Sequence, residues 1–186
     1  MDRAHTLAGR LLLAMPGMVD PRFARAVIAM CVHDANGALG IGIGHLVPQM
    51  SLHGLLENVG IEPGAAPDRE VHFGGPVEPH RGFVLHSPEW SDGDTVRVGE
   101  TFALSASLDV LKAIAAGEGP QRWLFALGYA GWAAGQLDGE MRTHGWFAGE
   151  TGPSIVFATP AERRWTASWE AAGINPALLA STTGTA

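Results

Sequence analysis

Residues 26–45 limit the fold more than any other stretch of this chain, because they read as strand, tight turn and second strand in unbroken succession. Ala26 to His33 (AVIAMCVH) is apolar at nearly every position, and Asp34-Ala35-Asn36-Gly37 supplies the Asx and Gly residues of a tight turn. Ala38 to His45 (ALGIGIGH) then alternates glycine with Leu39, Ile41 and Ile43. Together they form a hairpin. A strand with glycine on one face and aliphatic side chains on the other packs one side and admits a second backbone on the opposite side.

The remaining chain is read against that hairpin. Leu11 to Met15 is a short strand, and PGMVDP after it, with Pro16 and Pro21, is a loop. Ser51 to Val59 carries Leu52, Leu55, Leu56 and Val59 at helical spacing behind Ser51 as N-cap. Ile61 to Arg69 is a loop, Val71 to Phe73 and Gly82 to His86 are strands around GGPVEPHR, and Thr95 to Val98 with Thr101 to Leu104 make another hairpin. Ser107 to Ala116 is a helix with Ser107 as N-cap, an apolar stripe of Leu108, Leu111 and Ala115, and Gly117 as C-cap. Trp123 to Tyr129 is a strand, GYAGW a corner, and Ala133 to His144 a helix. Ser154 to Ala158 reads as a buried strand, Pro160 to Ala172 as a helix with proline at N1, and Asn175 to Ala180 as a short last helix. Strands outnumber helices and cluster, which indicates an α+β fold rather than a doubly wound sheet. There is no internal repeat. One domain over 1–186 is expected, with about 1–8 and 181–186 frayed.

Composition excludes several function classes. Hydrophobic residues make up 46 % of the 186 and charged residues 17 %, so the core is large and the surface lightly charged. Nineteen acidic residues against twelve Lys and Arg give a net charge of −7, which repels a phosphate backbone, so no direct nucleic-acid contact is expected. The apolar run from Leu11 to Met15 is too short for a signal peptide, and no stretch of ~18 apolar residues suggests a membrane span. The single cysteine, Cys31, allows no intrachain disulfide and fits a reducing, cytoplasmic setting. No metal is expected either, since HxH, HExxH and CxxC are all missing, and P-loop and GxSxG signatures are missing too.

Three constellations are candidates for function. In GYAGWAAGQLDGE, Gly128 and Gly131 are placed at a strand-to-helix corner whose free N–H groups could hold an anion. Beyond it, Gln136 and Glu140 share a helix face, and Glu140 could pair with Arg142 or another arginine, a structural role that outweighs the ligand role. Trp132 and Trp146 bracket the helix and cap the core. In the second segment, Phe73 to His86, two glycines (Gly74, Gly75) and two prolines present Glu78, His80, Arg81 and His86. Arg81 could bind a carboxylate or phosphate bidentately and His86 could act as acid or base, or Arg81 could simply tie the loop to Glu78. Third, Cys31 and His33, two apart on a strand, point to one side as a nucleophile and base would, although a thiol among Ile28, Met30 and Val32 is ordinarily inert.

Several motifs in order, from LLLAMPGMVDPRFARAVI through CVHDANGALGI, GGPVEPHRGFVLH, SLDVLKAIAAG and LGYAGWAAGQLDGE, make the chain resemble the bacterial YqgE/AlgH family over nearly its whole length. The resemblance implies a mixed, mostly antiparallel bifurcated sheet curled into a pseudo-barrel with flanking helices. It brings no catalytic residues and no cofactor, and one branch of the family is named as a regulator of alginate synthesis. Gly44-His45-Leu46 stands where the family usually has Asn followed by Lys/Arg-Pro, and Thr185 where it ends in Gly-His-Ala. The resulting expectation is a non-enzymatic protein acting through a protein partner or small ligand, with any effect on transcription indirect. Its surface would comprise Gly74, Gly75, Arg81, His86, Gly128, Gly131, Trp132, Gln136, Glu140 and His33. The alternative is an enzyme using Glu140, His86 or His33 as acid or base.

Overall fold

A computed structural model describes residues 6–143, 145–150 and 152–180. The tail expected to fray at 181–186, with Thr185 in it, and residues 1–5 lie outside the described residues. Residues 6–8 are tied down: the Leu7 N–H donates to His33 Nδ1 at 2.9 Å and the Thr6 hydroxyl to the His33 carbonyl at 3.2 Å.

The strands are β1 (Leu11–Ala14), β2 (Val27–Asp34), β3 (Gly37–Gly42), β4 (Leu46–Ser51), β5 (Glu70–Phe73), β6 (Val77–His86), β7 (Val96–Val98), β8 (Phe102–Ser105), β9 (Trp123–Ala133) and β10 (Trp146–Gly149). The helices are α1 (Leu52–Asn58), α2 (Leu108–Ala115), α3 (Gln136–Arg142), α4 (Pro153–Phe157), α5 (Ala161–Ala171) and α6 (Pro176–Ala180). The main path runs β10-β1-β2-β3-β9-β6-β8-β7, antiparallel throughout, and β5 adds to β9 in parallel with β4 outside it. The hairpin expected over residues 26–45 is the β2–β3 pair.

The sheet forks at β9. Phe125 to Leu127 pair with β5, while Ala130 to Ala133 on the same edge pair with β3. Gly128, at φ +76°, makes the bend between the two halves. Into the fork passes the backbone of Gly74 and Gly75: the Gly74 N–H donates to the Leu127 carbonyl at 2.8 Å, and the Gly74 carbonyl accepts from the Gly42 N–H at 2.7 Å. A Cβ on Gly74 would overlap the Gly128 carbonyl, one on Gly75 the Tyr129 backbone, and one on Gly42 would come within 2.7 Å of the Phe73 carbonyl oxygen. The glycine face of the ALGIGIGH strand therefore serves close backbone approach, as the pattern implies.

The forked sheet curls into a half-barrel of α+β type. Leu11, Val27, Cys31 and Ile41 from one end share an interior core with Leu85, Val98 and Phe102 from the other, closed by Trp165 and Trp169 of α5. A second core lies between the sheet and helices α1 and α2, and a third joins Ile28, Met30 and Trp132 to Leu137 of α3 and to Trp146.

Four local expectations are corrected. Residues 154–158 lie mostly in a helix, not a strand: a five-residue apolar run does not distinguish the two, Pro153 at the first position presets helical φ, and only Val156 is buried. The strand ending at Tyr129 in the sequence reading continues to Ala133 because Gly131 and Trp132 pair with β3, so α3 starts only at Gln136 and the strand-to-helix corner falls at Gly135, φ +75°. In α2 the buried residues are Val110, Leu111 and Ile114, while Leu108 is exposed, and the Ser107 hydroxyl donates to Asp92 Oδ2 at 2.6 Å instead of capping the helix. Finally, a bulge between Met30 and Val32 breaks the two-residue alternation of β2, so Cys31 enters the interior core while His33 faces Asp138 of α3.

Candidate functional site

The cleft that gathers four of the ten candidate residues lies where β9 passes into α3. It has a volume of about 420 Å³, and Gly131, Trp132, Gln136 and Glu140 line it together with Pro76 and Val77, the loop residues Asp20, Arg22 and Phe23, and Trp146. The two glycine-rich segments thus meet here, through Pro76–Val77 on one side and Gly131–Trp132 on the other.

Glu140 is the organising group. Its Oε2 accepts the Trp132 indole N–H at 2.6 Å and the Trp146 indole N–H at 3.2 Å, and the two rings meet edge to face with centroids 6.2 Å apart. Hydrogen bonds to an ionised acceptor are the strong kind, so the carboxylate clamps α3 against β9 and β10. Arg142, the partner the sequence suggested for it, plays no part in this arrangement. Gln136 holds the helix start: its Oε1 accepts the Ala133 N–H at 3.0 Å, and its Nε2 lies 3.5 Å from Glu140 Oε1. Oε1 of Glu140 is therefore the lightly used acceptor of the cleft. Across from it Arg22 makes a bidentate pair with Asp20, at 3.1 and 2.8 Å. Glu140→Ala should destabilise the protein by about 2–4 kcal/mol, because two indole donors lose their acceptor, whereas Glu140→Gln should cost about half as much, its amide oxygen still accepting. Urea midpoints at neutral pH measure both.

The other candidates are dispersed. Arg81 extends from β6, not from a loop, pairs with Glu78 at 3.3 Å with both side chains about half exposed, and stacks over Phe83. Glu78 holds φ +46°, which turns the strand there. His86 is fully buried: its Nδ1 lies 2.8 Å from the Ser87 carbonyl and its Nε2 2.8 Å from Ser105 Oγ, and desolvation holds its pKa below the ordinary histidine value. His33 accepts from Leu7 at Nδ1, so its Nε2 carries the hydrogen and lies 3.3 Å from Asp138 Oδ1. Burial pushes the Cys31 thiol up to about 12, which leaves no thiolate for nucleophilic chemistry. Glu140, His86 and His33 therefore stand in three separate settings. Gly74, Gly75 and Gly128 are consumed by the fork. Among the described residues no cluster of His, Cys, Asp and Glu could hold a metal, and no helix is long and apolar enough to cross a membrane.

Sequence reasoning missed the 20–23 loop and the cleft-lining role of Trp146. The first was visible only as a proline-bounded loop, the second as a core cap. His45, in the segment that departs from the family pattern, approaches the Ala24 carbonyl with Nε2 at 2.8 Å and so packs the base of the same loop.

The model for proteins described as AlgH-like matches residues 11–177. The chain belongs to the AlgH-like family. Among AlgH-like relatives, a UPF0301 protein of Novosphingobium aromaticivorans is 61 % identical over 186 residues, covering all of both chains, and one of Rhizorhabdus wittichii is 56 % identical with the same coverage. The solution structure of the AlgH protein from Pseudomonas aeruginosa superposes with a TM-score of 0.81 at 39 % identity, covering 100 % of this chain and 99 % of that one. A protein from Corynebacterium diphtheriae shares the fold at 20 % identity, with a TM-score of 0.77 over 96 % of this chain and 94 % of its own. The overall fold is thus kept at 20 % sequence identity.

Proposed function

We propose that the protein is a binding protein whose site is the Trp132–Glu140 cleft, and that it acts by holding a partner or small ligand rather than by chemistry at that cleft. The observation that carries this reading is a carboxylate that lines a cavity of about 420 Å³ with one oxygen spent on two indoles and the other met only by Gln136 Nε2 at 3.5 Å. With Asp20 and Arg22 cancelling each other, the cleft keeps one net negative charge among Phe23, Trp132 and Trp146, which suits a cationic group flanked by aromatic side chains. The chain's charge of −7 would draw such a ligand in. A regulatory effect on transcription, as the name of one family branch suggests, would run through that partner, because the same charge opposes contact with DNA.

Arginine amide tests the idea directly. Tryptophan emission should change saturably as it is added, the apparent affinity should weaken with salt, and Glu140→Gln should abolish the response while near-UV circular dichroism stays native. A response that does not saturate, or that Glu140→Gln leaves intact, would refute the reading.

A further inference from the structure

A second cavity, on the outer face of the sheet between α1 and α2, has Ser105 in its lining, and His86, bonded to Ser105, is buried outside that lining. The cavity has a volume of about 160 Å³, and its walls include Leu52, Leu56, Val84, Leu111 and Phe125. Val84 and Ser105 face each other in the β6–β8 ladder, and His86, two residues beyond Val84 on the same strand, stands on the same face.

The tautomer follows from the hydrogen bonds. His86 Nδ1 is 2.8 Å from the Ser87 carbonyl, which can only accept, so Nδ1 carries the hydrogen. Nε2, 2.8 Å from Ser105 Oγ, is then the acceptor and the serine hydroxyl points its proton at it. Thr95 Oγ1, 2.7 Å from Ser105 Oγ, supplies a hydrogen to the serine oxygen in turn. Trp90 packs edge to face on the imidazole with centroids 5.6 Å apart and fixes its plane. The charges acting on the ring are the carboxylates of Glu89 and Asp92, the first held by Ser87 and the Gln121 N–H, the second by Ser107 and the Asp94 N–H. Burial lowers the ring's pKa below the ordinary histidine value, against the pull of Glu89 and Asp92. A serine hydroxyl aimed at a neutral imidazole whose other nitrogen is anchored is the arrangement that activates a nucleophile.

We propose that Ser105 is an acyl-accepting nucleophile, with His86 as its base, for small esters whose acyl group is short and apolar. Ser105 Oγ bonds to the carbonyl carbon and its proton passes to His86 Nε2. The ester bond to the alcohol breaks, and the leaving alcohol takes that proton. Water then attacks the acyl-serine with its proton passing to Nε2, and the proton returns to Ser105 Oγ as the carboxylic acid leaves. The cavity sets the size: one of about 150 Å³ accommodates benzene, so an acyl chain of up to roughly six carbons fits. This site is separate from the aromatic cleft, since neither Ser105 nor His86 lines the latter.

The test uses the full chain with a small fluorophosphonate and with p-nitrophenyl butyrate. A single adduct is expected, mapped to Ser105 by peptide mass spectrometry. Ester hydrolysis should fall by about 100-fold or more in Ser105→Ala. Labelling should lose rate only as the pH drops below the ordinary histidine range, and p-nitrophenyl decanoate should react at least about tenfold more slowly than the butyrate. Should Ser105→Ala fail to fold, Ser105→Cys reports instead: its thiol should be alkylated by iodoacetamide in the native protein and protected by butyrate ester analogues. No adduct on Ser105 in folded protein, hydrolysis unchanged in Ser105→Ala, or an unreactive native Cys at that position would each overturn the proposal.

Discussion

Gly128→Ala should cost at least about 4 kcal/mol of stability, enough to unfold a large share of the molecules at physiological temperature. Two effects add. At φ +76° an L-side chain pays roughly 1–2 kcal/mol for the left-handed backbone. Its Cβ would also overlap the Gly75 carbonyl oxygen and stand 3.2 Å from both Pro79 Cα and the Val77 carbonyl oxygen. All three are backbone atoms at the fork, so no rotamer change relieves the crowding. Gly135→Ala is the control: φ is +75° there too, but nothing lies within 4 Å of a new Cβ. It should show the backbone penalty alone, about 1–2 kcal/mol. Guanidinium midpoints of both variants separate the two effects, and equal losses would mean that the fork is not crowded as described.

Acid should remove about 3 kcal/mol of stability between pH 6.5 and about pH 4, the window set by His72. Burial first, and the neighbouring Arg164 second, hold this imidazole at about 4 in the folded protein, against 6.5 as its ordinary value. Its Nδ1 hydrogen meets the Phe125 carbonyl at 3.1 Å and its Nε2 accepts from Arg164 Nη1 at 2.7 Å. Protonation would remove that acceptor and set two cations together. Below pH 6.5 the unfolded chain takes up a proton that the folded chain refuses, so folding weakens as the pH falls and the loss is complete near pH 4. His86, also held low by burial, acts in the same direction. His72→Gln keeps a donor for Phe125 and an acceptor for Arg164, and it should flatten the profile across this window. A wild-type profile that is already flat there would contradict the argument.

Arg164 makes His72 matter. It is 5 % exposed, donates to the Ile43 and Ile155 carbonyls as well as to His72, and loses enough solvation to bring its own pKa down to about 10. Neither residue drew attention in the sequence, because a lone arginine on an amphipathic helix and a lone histidine within a short strand have ordinary surface readings.

How much of the candidate site could be read from the chain depends on how local each interaction is. Gln136 and Glu140, four residues apart, were correctly paired on one helix face, because helical spacing is a property of the backbone alone. Their partners were not found. Trp146 reaches Glu140 across the turn into β10, and Arg22 arrives from a loop more than a hundred residues away in the chain. Arg81 and His86 looked like neighbours in GGPVEPHRGFVLH, yet on an extended strand five residues separate them by well over a hydrogen bond's reach. His86 instead finds Ser105 on the adjacent strand, a pairing fixed by sheet register.

The sequence by itself determined the elements that turns and periodicity mark: the β2–β3 hairpin, α1 behind Ser51, α2 ahead of Gly117, and the α+β class that clustered strands require. Tertiary structure alone decided where β9 ends, that residues 154–158 fall mainly in a helix, and that Gly74, Gly75 and Gly128 form a fork in the sheet. The reason is physical. A glycine needed for a left-handed turn, one needed for backbone contact and one needed for an anion are the same letter, and only the neighbour that comes within van der Waals distance distinguishes them.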